Sequence, residues 1–194
     1  MKVILQAIAV LLFTANVFAA DPQVEIKTNM GSIVVELYPA KAPKTVENFL
    51  QYVKDGHYKG TIFHRVIPRF MIQGGGVGVD FSEKKMRAPI PIEADNGLRN
   101  DTGTIAMART SDPNSATAQF FINHADNDFL NYTAPTQRGW GYAVFGKVVK
   151  GMDVVNRIAA IPTGPRGPFP SDVPSQPVII EDARLLPSDK PAAK

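Results

Sequence analysis

One stretch of the sequence, Phe63 to Gly76, concentrates residue types that could hold a substrate and act on it. If this stretch forms a strand, the two-residue period places Arg65 on the same face as Phe63 and Ile67. A guanidinium between large apolar neighbours makes few hydrogen bonds, and each of them counts for more than it would in water. The alternative is an arginine whose aliphatic stem merely covers the core. An arginine in this setting donates hydrogen bonds and does not act as a base.

A second cluster, Gln119-Phe-Phe-Ile-Asn123, has the alternation of another strand. One face carries Gln119, Phe121 and Asn123, and the other carries Phe120 and Ile122. We therefore expect one phenylalanine in the core and the other on a surface that a ligand can reach, although two adjacent core aromatics are the alternative. Neither cluster alone identifies a reaction.

Several familiar kinds of site are not indicated. The glycines from Gly74 to Gly78 lack the spacing of a dinucleotide fingerprint and no Lys-Ser/Thr pair follows them, so they predict a turn with positive φ. The chain has no cysteine, and its three histidines lie far apart without metal-ligand spacing. No serine occupies a Gly-x-Ser-x-Gly elbow. We therefore predict no metal, no bound nucleotide and no hydrolase triad.

Short runs of β-branched and aromatic residues, separated by Gly, Pro and Asn, predict a closed or folded-over antiparallel sheet. Gly31 can supply a positive φ for a hairpin between the first two runs. The eight expected strands are Gln23–Thr28, Ser32–Leu37, Ile62–Ile67, Phe70–Gly74, Thr104–Arg109, Gln119–Asn123, Ala143–Val149 and Val178–Leu185.

Two segments have helical periodicity instead. Apolar residues three or four apart predict a helix over Pro43–Asp55, with the proline in its first turn. The same pattern predicts a second helix over Met152–Ala160. The proline-rich segment Pro162–Pro177 predicts an ordered surface loop before the last strand.

The composition is that of an ordinary globular protein. The 194 residues are 44% hydrophobic and 20% charged, and the formal net charge is +3. This length suits a single domain. The slight excess of base is spread along the chain, so nucleic acid is not an expected partner.

The N-terminus has the regions of a secretory signal peptide: Lys2, an apolar stretch, and small residues before Asp21. Cleavage after Ala19 is preferred, because cleavage after Ala20 would place the bulky Phe18 at the third position before the cut. The alternatives are a membrane anchor or a buried helix, but Gln6 and Asn16 interrupt the apolar run. We expect residues 1–19 to be removed, leaving one domain over 20–194 with a short C-terminal tail and no membrane contact.

Four separated motifs, in this order along the chain, resemble the cyclophilin family of peptidyl-prolyl isomerases, and the likeness runs from Val24 to Leu185. They are Phe63–Gly75, Ile105–Arg109, Gln119–Ile122 and Val144–Val148. The segment Glu93–Asn100 looks most like the periplasmic cyclophilins of Gram-negative bacteria. The resemblance implies a mainly β fold, a closed eight-stranded antiparallel barrel capped by two helices, which agrees with the elements counted above.

The resemblance also assigns roles to residues. The family's catalytic arginine falls on Arg65. Tyr142 stands where the family often has histidine, and Phe129 stands where many eukaryotic members have tryptophan. Because cyclosporin binding is associated with that tryptophan, we expect weak inhibition by cyclosporin. The implied proline pocket is formed by Phe70, Met71, Phe121 and Leu130, and the implied polar substrate contacts are Gln73, Ala108, Arg109 and Gln119.

The function implied by the resemblance is acceleration of rotation about X-Pro bonds in unfolded or partly folded exported proteins. It needs no metal or organic cofactor, and we expect a monomer located in the periplasm. A second hypothesis is a binding module, in which the same groove holds proline-containing segments as a chaperone or scaffold without turnover. An intact Arg65 argues against it, because a ground-state proline needs only an apolar pocket. A purely structural exported barrel is the third hypothesis.

Overall fold

Turn residues set the ends of most elements in this chain. A computed structural model describes residues 21–187, so the expected signal peptide (1–19) and residues 188–194 of the tail lie outside the described part. Gly31, with a φ of 127°, closes the first hairpin as expected. The strands are β1 Gln23–Thr28, β2 Gly31–Leu37, β3 Thr61–Ile67, β4 Met71–Gly78, β5 Thr104–Met107, β6 Phe120–Asn123, β7 Val144–Lys150, β8 Thr163–Arg166, β9 Phe169–Pro174 and β10 Ile180–Leu185.

Eight of these strands form one antiparallel sheet in the order β10-β1-β2-β7-β5-β6-β4-β3. The sheet curls until its two edges meet. The amide of Phe63 in β3 donates to the carbonyl of Val178, 2.9 Å away, just before β10. The amide of Gly60 donates in the same way to Ile180 at 2.8 Å. The result is a nearly closed barrel, which confirms the expected fold class.

Two helices bury apolar faces against the barrel. α1 spans Pro43–Lys54 and α2 spans Met152–Ala159, close to the expected limits. Glu93 caps α1 from a distant loop, because its carboxylate accepts from the backbone amides of Lys44 at 3.1 Å and Thr45 at 2.8 Å. An anion at this end also complements the helix dipole. Within residues 21–187, no helix is long and apolar enough to cross a membrane.

Aromatic rings fill the interior of the barrel. Phe49 of α1 meets Phe120 edge to face, with ring centroids 5.7 Å apart, and Phe120 meets Phe63 in the same way at 5.9 Å. All three side chains are fully buried. This packing fixes β3 and β6 relative to each other, and both strands contribute to the site described below.

The main difference from expectation lies in the proline-rich segment. The sequence predicts an ordered surface loop over Pro162–Pro177, but the segment contains the antiparallel hairpin β8–β9. The sequence does not predict this hairpin, because its residues lack the β-branched alternation that marks a strand. The glycine run also differs, since Gly74 to Gly78 lie within β4 and not in a turn, although Gly75 does have a φ of 87°.

Candidate active site

A β-bulge in β3 decides where Arg65 points. Phe63 pairs with Gly74 and Arg65 pairs with Gln73, so His64 is an extra residue between two consecutive pairs. The extra residue reverses the alternation, and Phe63 is buried in the barrel while Arg65 faces outward. The expectation that Phe63 and Arg65 share a face is therefore wrong, and only Ile67 remains on the arginine's side.

Arg65 opens onto a cleft of about 560 Å³ on the outer face of β3 and β4. Its guanidinium carbon lies 5.9 Å from the centre of the Phe70 ring. The side chain is 45% exposed, and the nearest carboxylate oxygen, on Asp172, is 3.7 Å from Nε. Within residues 21–187 no group accepts a hydrogen bond from either Nη atom. Arg65 can therefore donate to an acceptor that enters the cleft.

The floor of the cleft is apolar and buried. Met71, Phe121 and Leu130 are each at least 92% buried and form, with Ala106 and Val144, a second cluster separate from the barrel interior. Alternation in β6 works as expected, because Phe120 belongs to the interior and Phe121 to this floor. The floor suits a small apolar ring.

A network of buried asparagines holds the floor from behind. The side-chain amide of Asn100 donates to the carbonyls of Leu130 at 3.0 Å and Tyr142 at 3.3 Å. Asn127 donates to the carbonyl of Phe70 at 2.9 Å and to the side chain of Asn123 at 2.7 Å. Because buried polar groups are costly unless paired, this network fixes the backbone of Phe70, Leu130 and Tyr142 together. The sequence did not reveal it, since isolated asparagines are typical of turns.

Two glutamines form a polar rim beside Arg65. Gln73 donates from its amide nitrogen to the side-chain oxygen of Gln119 at 2.9 Å. Gly76 makes this placement possible, because a Cβ there would lie 2.5 Å from Cγ of Gln119. The amide of Ala108 donates to the carbonyl of Gln119 at 2.9 Å, which fixes the backbone on that side.

The opposite rim is built around Tyr142. Its ring meets Phe121 edge to face at 5.6 Å, and the guanidinium carbon of Arg109 lies 4.8 Å from its centre. Arg109 is itself fixed, because its Nε donates to the carbonyl of Gly141 at 2.7 Å. Phe129 is 74% exposed and stacks on Phe70 at 5.6 Å, so it extends the rim without lining the cleft itself.

His64, the bulged residue, is buried under the hairpin. Its ring lies 5.2 Å from that of Phe169 in β9, and its Nδ1 has no hydrogen-bond partner among the described residues. Burial, aided by the neighbouring positive charge of Arg65, lowers the pKa of His64 from its ordinary 6.5 to about 4. His64 is therefore neutral at pH 7 and adds no second charge beside Arg65.

The cleft gathers ten of the eleven residues that the sequence indicated, all except Phe129. Nothing in the sequence indicated the cleft residues in β9, which form a separate wall. More than 90 residues of chain separate them from β3, and only the closed fold brings them near. The ten are Arg65, Phe70, Met71, Gln73, Ala108, Arg109, Gln119, Phe121, Leu130 and Tyr142. The missed residues of the separate wall are Phe169, Pro170, Ser171 and Asp172, and His64, Val77 and Glu83 complete the lining.

The cleft combines an apolar floor, an arginine with unpaired donors and two amide side chains. Among residues 21–187, no three or more His, Asp or Glu side chains are grouped so that they could hold a metal ion. Ser171 donates to Asp172 at 2.9 Å rather than to His64, so the three do not form a triad. This arrangement can bind a small ring and stabilise an acceptor that develops beside it.

A family model described as cyclophilin-type peptidyl-prolyl cis-trans isomerase matches residues 23–185. The chain belongs to this family. It is similar to isomerase cyp18 of Streptomyces antibioticus, with 63% identity over 164 residues that cover 84% of this chain and 98% of that protein. It is 55% identical to isomerase B of Escherichia coli, over 84% of this chain and 98% of that protein. The cyclophilin described here is thus an isomerase of X-Pro peptide bonds.

Solved cyclophilin structures agree with this assignment. A cyclophilin-type isomerase of Cryptosporidium parvum superimposes with a TM-score of 0.70 at 29% identity, covering 86% of this chain and 98% of that chain. The same Cryptosporidium protein crystallised in the presence of the dipeptide Ala-Pro gives a TM-score of 0.68 at 30% identity, covering 85% and 99%.

Proposed function

We propose that Arg65 is the catalytic residue of this isomerase and that its substrates are proline-containing segments of unfolded or partly folded exported proteins. The observation that carries the proposal is the position of the guanidinium. Its Nη atoms have no acceptor within residues 21–187, and Arg65 lines the same cleft as the buried apolar floor.

Arg65 acts, in this proposal, only when the peptide bond twists. A planar amide delocalises the lone pair of the prolyl nitrogen into the carbonyl, so that nitrogen accepts no hydrogen bond. Rotation ends the delocalisation and makes the nitrogen pyramidal and available. A guanidinium that donates to it then binds the twisted state better than either planar state, which is the condition for catalysis.

The energies are of the required size. Rotation about an X-Pro bond has a barrier of about 18–20 kcal/mol and takes tens to hundreds of seconds. An acceleration of ~10⁵-fold corresponds to about 7 kcal/mol of transition-state stabilisation. One preorganised, charge-assisted hydrogen bond contributes about 3–4 kcal/mol. Orientation of the peptide supplies the remainder.

The other residues of the cleft orient the peptide. Met71, Phe121 and Leu130 hold the proline ring as a fixed pivot, and Phe70 covers it from the side of Arg65. The glutamine rim and the backbone near Ala108 hydrogen-bond the flanking chain. The presence of Ala-Pro with the Cryptosporidium cyclophilin supports a proline-containing ligand for this cleft.

The exported location rests on the sequence of residues 1–19. Intact mass of the protein recovered from the periplasm tests it. Cleavage after Ala19 gives a chain that begins at Ala20, whereas an uncleaved chain found in the cytoplasm contradicts the proposed location.

The proposed weak response to cyclosporin rests on Phe129, which presents a ring to solvent but lacks the indole N–H of tryptophan. An inhibition assay tests it, and a nanomolar inhibition constant contradicts it.

Arg65→Ala tests the catalytic role, with Arg69→Ala as the matched control. Arg69 lies four residues away in the β3–β4 turn and does not line the cleft. We expect Arg65→Ala to lower kcat/KM for an Ala-Pro peptide by about 10²- to 10³-fold, and Arg69→Ala to change it by less than about threefold. An Arg65→Ala protein with full activity contradicts the proposal.

A further inference from the structure

The carboxylate of Asp172, in the β8–β9 hairpin, lies against the proposed catalytic arginine. Oδ2 of Asp172 in β9 is 3.7 Å from Nε of Arg65, and this is the arginine's only ion pair within residues 21–187. Both side chains are partly covered, with 45% of Arg65 and 31% of Asp172 exposed. The contact joins two parts of the chain that are 107 positions apart, so it depends on where the hairpin packs.

The backbone at Asp172 adopts a conformation that most residues avoid. Its φ is 64°, and only two other non-glycine residues within 21–187, Arg69 and Phe81, have positive φ. Aspartate and asparagine tolerate this left-handed region better than other side chains. An unfavourable backbone persists where surrounding structure requires it, and such residues cluster at functional sites. Asp172 lies where the hairpin pairing shifts register, between the pairs Gly164–Val173 and Arg166–Phe169. Its carboxylate faces the cleft, whereas the side chain of Val173 is buried.

Neighbouring contacts hold the carboxylate in place. The hydroxyl of Ser171 donates to Oδ2 of Asp172 at 2.9 Å. On the other side of Pro170, the Phe169 ring lies over His64 at 5.2 Å. The base of the hairpin closes through the amide of Ser175, which donates to the carbonyl of Pro162 at 2.8 Å. Asp172 is thus anchored independently of Arg65.

We propose that Asp172 is a positioning residue for Arg65, holding the Nε edge of the guanidinium so that the Nη atoms face the proline-binding floor. The guanidinium is planar, and a carboxylate at one edge sets the direction of the other edge. A long arginine side chain without such a partner populates many rotamers. The proposal rests on the catalytic role assigned to Arg65, and it predicts an effect on turnover with little effect on peptide binding.

Asp172→Asn is the sharpest test, because asparagine keeps the shape and tolerates the left-handed backbone while removing the charge. Asp153→Asn is the matched control, since Asp153 pairs with Arg157 on α2 at 2.7 Å and lies outside the cleft. For an Ala-Pro peptide we expect Asp172→Asn to lower kcat about fivefold with KM changed less than about twofold, and the control to change neither. Ser171→Ala, which removes only the hydrogen bond to the carboxylate, should shift kcat in the same direction by a smaller factor.

Two further readouts separate positioning from a loss of folding. The thermal unfolding midpoint of Asp172→Asn should match that of the parent protein. In ¹⁵N spectra, the Arg65 Nε–H signal should exchange with water faster in Asp172→Asn than in the parent or the Asp153→Asn control.

A double mutant distinguishes failure of this inference from failure of the catalytic assignment. In an Arg65→Ala background, Asp172→Asn should have no further effect on kcat. Unchanged or increased kcat in Asp172→Asn, or the same fivefold loss in the Arg65→Ala background, overturns the positioning role and leaves the catalytic role of Arg65 standing. If Arg65→Ala itself keeps full activity, the catalytic assignment fails and the inference fails with it.

Discussion

The two walls of the cleft are built in opposite ways. The wall formed by β3 to β6 belongs to the barrel. Its residues Met71 and Phe121 are part of the buried apolar floor, which a network of asparagines supports. The wall formed by the β8–β9 hairpin is mostly exposed at Pro170 and Ser171, and it meets Arg65 through a single ion pair. We call these the barrel wall and the hairpin wall.

This difference suggests that the barrel wall binds the peptide, whereas the hairpin wall adjusts the orientation of Arg65. Residues on the barrel wall cannot move without disturbing the core, so the surface that we propose binds the proline ring is rigid. Most side chains of the hairpin from Thr163 to Asp172 are exposed or half-buried, and such regions open at a lower free-energy cost than the core. We therefore expect that the carboxylate of Asp172, which we propose orients Arg65, can be altered without loss of the fold. Substitutions on the two walls should therefore differ in kind.

The largest contrast is expected in stability. Phe121→Ala removes a buried ring from the barrel wall and should lower the free energy of unfolding by about 3–5 kcal/mol. Pro170→Ala on the hairpin wall should lower it by at most about 1 kcal/mol, since the side chain is exposed. Urea unfolding of the two variants measures both values. Equal losses would remove the distinction between the walls.

A pH effect is expected where the walls meet, at His64. Above pH 6.5 this histidine is neutral in both folded and unfolded chains. As the pH falls toward 4, the unfolded chain takes up the proton first, because the folded pKa is only about 4. The folded state should lose about 1.4 kcal/mol per pH unit in this window, about 3 kcal/mol in all, and no more below it. Urea unfolding between pH 7 and pH 4 should show this extra loss in the parent relative to His64→Gln, and parallel curves would contradict it.

The smallest contrast comes from one added methyl group on each wall. Gly76→Ala should displace Gln119 and break its 2.9 Å bond with Gln73, weakening peptide affinity about threefold and costing about 1–2 kcal/mol of stability. Gly164→Ala in the hairpin meets no atom within 4 Å and should leave affinity unchanged. Calorimetric titration with an Ala-Pro peptide compares them. An unchanged affinity in Gly76→Ala would show that the glutamine rim does not contact the peptide.

The sequence predicted the barrel wall far better than the hairpin wall, for physical reasons. Alternation correctly assigned Phe120 to the interior and Phe121 to the cleft, because β6 is a regular strand. The same rule failed for Phe63 and Arg65, since a bulge shifts the register and leaves no mark in composition. Nothing in the sequence around Asp172 predicts that this residue lies in the cleft. Its proximity to Arg65 exists only because the closed sheet brings β9 beside β3.

One NMR experiment tests the central claim most directly, that Arg65 binds the twisted amide rather than either planar form. Cis–trans exchange of an Ala-Pro peptide and the affinity of the same peptide are measured together for the parent protein and for Arg65→Ala. The account predicts that exchange in the saturated complex slows by about 10²-fold or more while Kd changes by less than about threefold. Loss of affinity in proportion to loss of rate would contradict the account, because Arg65 would then serve only to bind the planar peptide.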